Sequence, residues 1–255
     1  MSLLTVEKKL GFAIITLNDP ERRNVFSGEM SNLINATFDA LESDDEMRCA
    51  ILTGAGSAFC AGGHLDELLA TKTTNDLHAI YQGFVRIANS KLATIAAVNG
   101  PAVGAGLNAA LACDVVIAAE SATFDARFLQ IAIGPGGGNT WRLSKLASLQ
   151  TANAMILFGE LLDGHGAVSA GLAWKCVPDS DLVAESCKVA ERAAKVPREL
   201  LFRTKQTIAN AQRINDLQDA IDNEITTQHW SMQQPEFHDA VGKLQARIKA
   251  KPRKQ

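Results

Sequence analysis

Short apolar segments typical of buried strands alternate with helical patterns along the first half of the chain, and this alternation limits the possible folds. A helix pattern begins after Ser27, whose side chain can cap it, and Ala50–Thr53 follows as a strand that ends at Gly54. Another helix, the strand Thr94–Val98, a short apolar helix and the strand Val115–Ala119 repeat this order. Because such repeats stack sheets and helices in layers, the sequence predicts an α/β fold.

Beyond Gly138 the pattern becomes almost wholly helical, and Pro197 and Pro235 divide its last part into separate helices. The apolar stripes on these helices are too long for one small core, so we expect some of them to pack against another copy of the chain. We therefore expect a core of residues 1–195 that carries the functional site and a helical oligomerisation region of residues 196–255. The basic tail Lys249–Gln255 is expected to be disordered.

Composition argues against several classes of function. A formal net charge of −3 and an aromatic content of 5% give little support for a nucleic-acid partner. The five cysteines lack CxxC or Cys/His spacing, so we expect neither a metal site nor a disulfide framework. No segment approaches the roughly 20 apolar residues of a membrane span. We therefore expect a cytoplasmic protein without a membrane span.

Two of the predicted strands run directly into loops of small residues, one over residues 54–65 and the other over residues 99–108. Glycine and alanine there allow backbone N–H groups to approach a ligand, and the second loop opens a helix whose N-terminus favours negative charge. Together the loops could form an oxyanion hole. A single glycine-rich turn is usually only a tight turn, and the chain has no GxGxxG, GxxxxGK[ST] or GxSxG motif that would indicate a nucleotide site or a serine hydrolase.

The segments AFCAGGHL (58–65) and VNGPAVGAGL (98–107) resemble the paired signatures of the crotonase superfamily, the enoyl-CoA hydratase/isomerase family. The resemblance extends from LNDPERRNVF (17–26) through FDARFLQIAIGPGGG (124–138) to the terminal helices. It implies an α/β spiral of repeated ββα units, with a C-terminal helical layer that builds a homotrimer or a dimer of trimers. It also implies an acyl-CoA substrate, no cofactor beyond the CoA moiety of that substrate, and no metal.

By this resemblance, the backbone N–H groups of Gly63 and Ala105 would stabilise negative charge on the thioester oxygen. Arg23 resembles a basic position that some relatives direct at the CoA phosphates, although an exposed surface arginine is an equal interpretation. The other positions similar to those on the CoA side of the family's site are Ala61, Gly62, His64, Leu65 and Asp66.

The chain departs from the family pattern where hydratases carry two glutamates that handle water, because Asn108 and Phe128 occupy the similar positions. Asparagine can orient a water molecule or a carbonyl, which keeps Asn108 a candidate catalytic residue, but it cannot accept a proton near neutral pH. Phenylalanine can do neither, and Phe128, like Gly136, is expected to line the substrate site. Some relatives carry an aspartate at a third position, which here is Gly136; its glycine makes room near the acyl group or serves a loop that needs positive φ. His64 could transfer a proton, although the family usually places a structural aspartate there.

Two functions follow from these residues. The first is an enzyme of the enoyl-CoA hydratase/isomerase type that stabilises a thioester enolate. Isomerisation or decarboxylation needs less acid/base machinery than hydration, so the missing glutamates favour a reaction other than hydration. The alternative is a non-catalytic acyl-CoA binding or carrier protein that keeps the pocket without the chemistry.

Overall fold

The computed structural model describes residues 2–250 of the 255-residue chain. The chain divides after Lys195 into two compact units, the first with sheets and helices and the second with helices. Every helix within residues 2–250 is too short or too polar to serve as a bilayer-spanning segment.

A six-stranded sheet forms the centre of the first unit. Strands β1 (Leu4–Lys9) and β2 (Phe12–Leu17) form an antiparallel hairpin, and Gly11 turns the chain between them with a φ of 81°. Strand β3 (Cys49–Gly54) then pairs in parallel with β2, so that Ile14 lies opposite Ile51. The remaining parallel strands follow in the order β4 (Ala93–Val98), β6 (Val115–Ala119) and β9 (Lys175–Val177).

Three short strands form a second sheet: β5 (Pro101–Val103), β7 (Thr123–Asp125) and β8 (Leu162–Asp163). Strands β5 and β7 were not predicted, because three residues are too few to show an alternating pattern. The prediction of an almost wholly helical chain beyond Gly138 is wrong at β8 and β9. These strands form because β7 and β6 offer them a sheet edge, which is a tertiary effect.

The helices of the first unit cover these sheets. Helix α1 (Gly28–Glu42) begins after Ser27, whose Oγ accepts a hydrogen bond from the Met30 N–H at 3.1 Å, as the sequence predicts. Helix α3 (Thr74–Ala88) begins with a capping box formed by Thr73 and Asp76. The other helices are α2 (Leu65–Ala70), α4 (Ala105–Leu111), α5 (Asn139–Leu146), α6 (Leu149–Leu157), α7 (Gly164–Ser169) and α8 (Leu182–Ala194). Large side chains that are fully buried in the core include Phe26, Phe38, Phe59, Phe84 and Phe124.

The second unit contains three helices: α9 (Arg198–Ala211), α10 (Leu217–Met232) and α11 (Pro235–Ala250). Polar contacts join α9 to α10, including a hydrogen bond of 2.9 Å between the hydroxyls of Thr207 and Thr227. No residue of α9 or α10 is fully buried, and apolar side chains such as Ile225 remain exposed. In the tail predicted to be disordered, Lys249 belongs to α11, and residues 251–255 lie outside the described part of the chain.

Candidate functional site

The two glycine-rich loops lie side by side and are joined by backbone hydrogen bonds. Cys60 and Ala102 form an isolated parallel bridge, in which the Cys60 N–H donates to Pro101 O and the Val103 N–H donates to Cys60 O, both at 3.0 Å. Glycine is required where the loops touch, because a Cβ on Gly106 would lie only 2.2 Å from Cys60 O. Two segments that are distant in sequence therefore form one continuous surface.

Gly63 and Ala105 lie close together at this junction. A Cβ built on Gly63 would lie 4.0 Å from the Cβ of Ala105. Neither backbone N–H has an acceptor among residues 2–250, since the strand-like pairing with Phe26 uses Gly62 O and the His64 N–H instead. Both residues are partly exposed, so a ligand can reach these donors. Two unpaired N–H groups of this kind can stabilise negative charge on a ligand oxygen.

Two asparagines that the sequence analysis missed hold the first loop in place. Asn24 is fully buried, and its Nδ2 donates to Ala55 O and to Ala58 O, both at 2.8 Å. The Oδ1 of Asn99 accepts a hydrogen bond from the Gly54 N–H at 3.0 Å, which ties the start of the second loop to the start of the first. The only sequence signal was a polar side chain beside each loop, and such side chains are common in turns.

Asn108, predicted as a catalytic residue, fastens the glycine loop 134–138. Its side chain is buried; Nδ2 donates to Gly136 O at 2.9 Å, and Oδ1 accepts from Asn139 Nδ2 at 3.1 Å. Asn139 is also buried, and its Oδ1 has no partner among the described residues. The position that resembles a family glutamate is therefore part of a neutral amide pair.

Phe128 and Gly136, the two other positions that depart from the family pattern, also lie against neighbouring residues. The ring of Phe128 lies beside Gly104, where an added Cβ would be 3.9 Å from the nearest ring carbon. A Cβ on Gly136 would lie 2.2 Å from Tyr81 Oη, so the tyrosine hydroxyl occupies that space. Positive φ values occur at Gly137 and Gly138, at 66° and 82°, but not at Gly136. Glycine at position 136 thus makes room for the side chain of Tyr81.

Arg23 is placed beside the first loop by its backbone, because the Ala61 N–H donates to Arg23 O at 2.9 Å. Its side chain is exposed and forms no ion pair within the described part of the chain, whereas Arg22 Nε donates to Asp19 Oδ2 at 2.8 Å. Of the two neighbouring arginines, Arg23 is therefore the one whose charge is available to a ligand.

The remaining residues predicted on the CoA side follow along the same loop. Gly62 is buried with a φ of 120°, a conformation that favours glycine. His64 precedes α2, and its Nδ1 is buried without a hydrogen-bond partner among the described residues. Leu65 and Asp66 are exposed in the first turn of α2. The structure thus brings His64 close to the Gly63 N–H while leaving one ring nitrogen unused.

Cys60 lies at the junction of the loops but does not supply a nucleophile. Burial raises the pKa of its thiol to about 12, so the thiol stays protonated near neutral pH. Within residues 2–250, no group of three histidine, cysteine, aspartate or glutamate side chains is arranged to hold a metal ion.

Comparison with known proteins identifies the family. The enoyl-CoA hydratase/isomerase family matches residues 7–250, which include both loops. The chain belongs to the enoyl-CoA hydratase/isomerase family. This confirms the family membership that the sequence signatures predict.

Curated members of this family include both hydratases and isomerases. A probable enoyl-CoA hydratase of Mycobacterium tuberculosis is 40% identical over 253 residues, which cover 96% of this chain and 97% of that relative. The 1,2-epoxyphenylacetyl-CoA isomerase of Escherichia coli is 34% identical over 249 residues, which cover 95% of this chain and 94% of that enzyme.

Solved structures of the enoyl-CoA hydratase/isomerase family share the fold. An enoyl-CoA hydratase from Bacillus anthracis aligns with a TM-score of 0.90 at 27% identity, covering 96% of this chain and 97% of that one. A Geobacillus kaustophilus structure described as enoyl-CoA hydratase subunit I aligns with a TM-score of 0.89, also at 27% identity, covering 100% and 98%. The predicted α/β crotonase fold with a helical C-terminal region is therefore confirmed.

Proposed function

We propose that this protein acts on an acyl-CoA thioester and stabilises the enolate of that thioester with the N–H groups of Gly63 and Ala105. The observation that carries the proposal is that the two residues lie together and are partly exposed, and that their N–H groups have no acceptor among the described residues. Donors that folding has already fixed in place need no reorganisation when the negative charge develops. The proposed reaction needs no cofactor beyond the CoA moiety of the substrate.

The proposed reaction class is proton transfer at the acyl chain, as in an isomerisation, rather than hydration. The bond between the α-carbon and its proton breaks, the electron pair moves into the enolate, and the proton passes to a base before it returns to the acyl group. Hydration would also need an acid and a base for water, and neither Asn108 nor Phe128 can serve. The similarity to an isomerase of an epoxyphenylacetyl-CoA supports this choice.

His64 is the proposed base. It follows Gly63 directly and is partly exposed, and an imidazole ring can accept a proton from a bound acyl group. The variant His64→Gln should abolish exchange of the α-proton while it retains CoA binding. Undiminished exchange in His64→Gln would remove this residue from the mechanism without affecting the two N–H donors.

The central experiment removes one donor while it preserves the helix. Ala105 is the first residue of α4, a position where proline is tolerated, and proline there replaces the N–H with a ring carbon. We expect Ala105→Pro to slow the exchange of α-protons of butyryl-CoA in D₂O by about 10²–10³-fold. The matched variant Ala105→Ser keeps the N–H, so its exchange rate should fall far less. Equal loss in both variants would contradict the proposed donor role.

The alternative, a non-catalytic acyl-CoA carrier, is favoured by one observation: both the nitrogen and the oxygen of the Asn108 amide form hydrogen bonds that fasten the glycine loop. The same D₂O experiment on the unmodified protein separates the two functions. Tight binding of acyl-CoAs without exchange or turnover, across saturated and unsaturated esters, would establish the carrier and refute the enzyme.

A homotrimer, or a dimer of trimers, is the assembly that we propose for the helical unit. Exposed apolar side chains on its three helices support an interface between copies, among them Ile208, Ile225 and Leu244. Sedimentation equilibrium measures the mass directly. A monomer at micromolar concentration would refute this assembly.

A further inference from the structure

A cavity of about 600 Å³ lies between α3 and the glycine loop 134–138. Its wall from α3 includes His78 and Tyr81, and its opposite wall includes Gly137, Gly138 and Arg142. Among residues 2–250, no aspartate or glutamate lines it. The polar groups that these residues direct at the space therefore include a permanent cation and a phenol, but no carboxylate.

Arg142 has no anionic partner within residues 2–250. Its one hydrogen bond to those residues runs from Nη1 to Gly137 O at 3.0 Å, and the remaining guanidinium donors are not engaged. Burial lowers the pKa of Arg142, which reflects an uncompensated cost of placing the charge there, yet arginine stays protonated. A partly buried cation of this kind favours an anion that brings matching oxygen acceptors.

Tyr81 adds a second donor to the same space. It is the only tyrosine in the chain, and its Oη lies against Gly136, two residues along the loop from the place where Arg142 Nη1 approaches Gly138. Burial raises the pKa of the Tyr81 hydroxyl, so it remains a neutral O–H donor near neutral pH. The hydroxyl has no hydrogen-bond partner among the described residues.

The cavity adjoins the proposed site of chemistry. A Cβ on Gly137, which lines the cavity, would lie 2.8 Å from Nδ2 of Asn108, and Asn108 follows Ala105 by one turn of α4. The glycine loop thus borders both the cavity and the Asn108 amide. An acyl chain whose carbonyl lies at Ala105 can extend along this loop into the cavity.

We propose that this cavity receives the distal end of the acyl group and that this end carries a carboxylate, held by the Arg142 guanidinium and the Tyr81 hydroxyl. The inference rests on the proposed function, because it assumes a thioester bound at Gly63 and Ala105. It names the substrate class as a CoA ester of a dicarboxylic acid. A guanidinium can hold a carboxylate through two parallel hydrogen bonds, which a methyl group cannot replace.

The experiment compares CoA esters matched in chain length by isothermal titration calorimetry: succinyl with butyryl, glutaryl with pentanoyl, and adipoyl with hexanoyl. In at least one pair, the unmodified protein should bind the carboxylate-ended ester at least about tenfold more tightly. Arg142→Gln should bring the ratio of the two dissociation constants close to one. Tyr81→Phe, which removes only the hydroxyl, should reduce the ratio by less.

Three results overturn the inference. The first is no preference for a carboxylate in any pair, measured on the unmodified protein and so independent of how the variants fold. The second is a preference that persists in Arg142→Gln, which would mean that Arg142 does not bind the carboxylate. The third is the absence of binding by every CoA ester, which would refute the proposed function as well. Binding and α-proton exchange without a carboxylate preference would refute the inference alone.

Discussion

Asn24 offers the sharpest test of how the first loop is held. Its side chain is 0% exposed and makes three hydrogen bonds of 2.8 Å, from Nδ2 to Ala55 O and Ala58 O and from the Asp19 N–H to Oδ1. At about 1 kcal/mol of net stability for each bond, Asn24→Ala should lose about 3 kcal/mol from hydrogen bonding. Ala58 is itself buried, so its carbonyl cannot easily turn to water.

Backbone conformation adds a separable contribution at the same position. Asn24 has a φ of 59°, in the left-handed region that asparagine tolerates and alanine disfavours by about 1 kcal/mol. Asn24→Ala should therefore lower the free energy of unfolding by about 4 kcal/mol, and Asn24→Gly, which adopts this φ freely, by about 3 kcal/mol. A loss of this size is a large part of the stability of a typical domain.

Urea denaturation with linear extrapolation measures these differences, provided that the slope m is unchanged. Asn18→Ala is the matched control, because the Asn18 side chain makes a single exposed hydrogen bond, from Nδ2 to Ser2 O at 3.0 Å, and should lose less than about 1 kcal/mol. If Asn24→Ala proved no more destabilising than Asn18→Ala, the buried-amide account would be wrong. Equal losses in Asn24→Gly and Asn24→Ala would refute the contribution of φ.

Three further predictions concern packing and protonation. Gly106→Ala should destabilise the protein by about 1–3 kcal/mol, since its Cβ would lie 2.2 Å from Cys60 O, whereas Gly134→Ala, whose Cβ meets nothing within 4 Å, should be near neutral in the same urea titration. In the native protein at pH 8, Cys60 should stay unlabelled by iodoacetamide because burial raises the pKa of its thiol to about 12; peptide mapping that found it alkylated would contradict this. Burial raises the pKa of Glu42, but hydrogen bonds led by that from Arg86 outweigh burial and lower the pKa below its ordinary 4.5. The stabilisation by ionised Glu42 is therefore complete above its ordinary pKa and is lost as the pH falls through the lowered pKa of the folded state. Glu42→Gln should consequently lose less stability between pH 6 and pH 3 than the unmodified protein does. An unchanged pH dependence would refute the assignment.

The sequence predicted those parts of the site in which small residues are required by local geometry. The two loops could be located because each follows a buried strand and is rich in small residues, whereas Gly63 and Ala105 were singled out within them by the resemblance to the family. Gly106 lies where the loops touch, and a Cβ there would be 2.2 Å from Cys60 O. The pairing of Asn108 with Asn139 could not be predicted, because it joins residues of two helices, α4 and α5. A side chain's type indicates what it can donate or accept, but only the tertiary fold decides which partner it meets.

The same limit applies to the fold. The helix cap at Ser27 and the turn at Gly11 are set by neighbours in sequence, and both were predictable. Strands β8 and β9 form because they pair with the edges of β7 and β6, and their short segments show no alternating apolar pattern of their own. The contact of Tyr81 with Gly136 likewise depends on how α3 lies against a distant loop.

The bridge between Cys60 and Ala102 means that the two loops are anchored by one part of the molecule while substrate specificity depends on another. Because backbone hydrogen bonds on both sides of it join the two loops, the donors that we propose there have little freedom to adapt to different acyl groups. Changes of substrate during evolution would then fall on α3, whose side chains at the cavity can be exchanged without disturbing the bridge. An engineer seeking a new specificity would leave the bridge untouched and vary position 81 first.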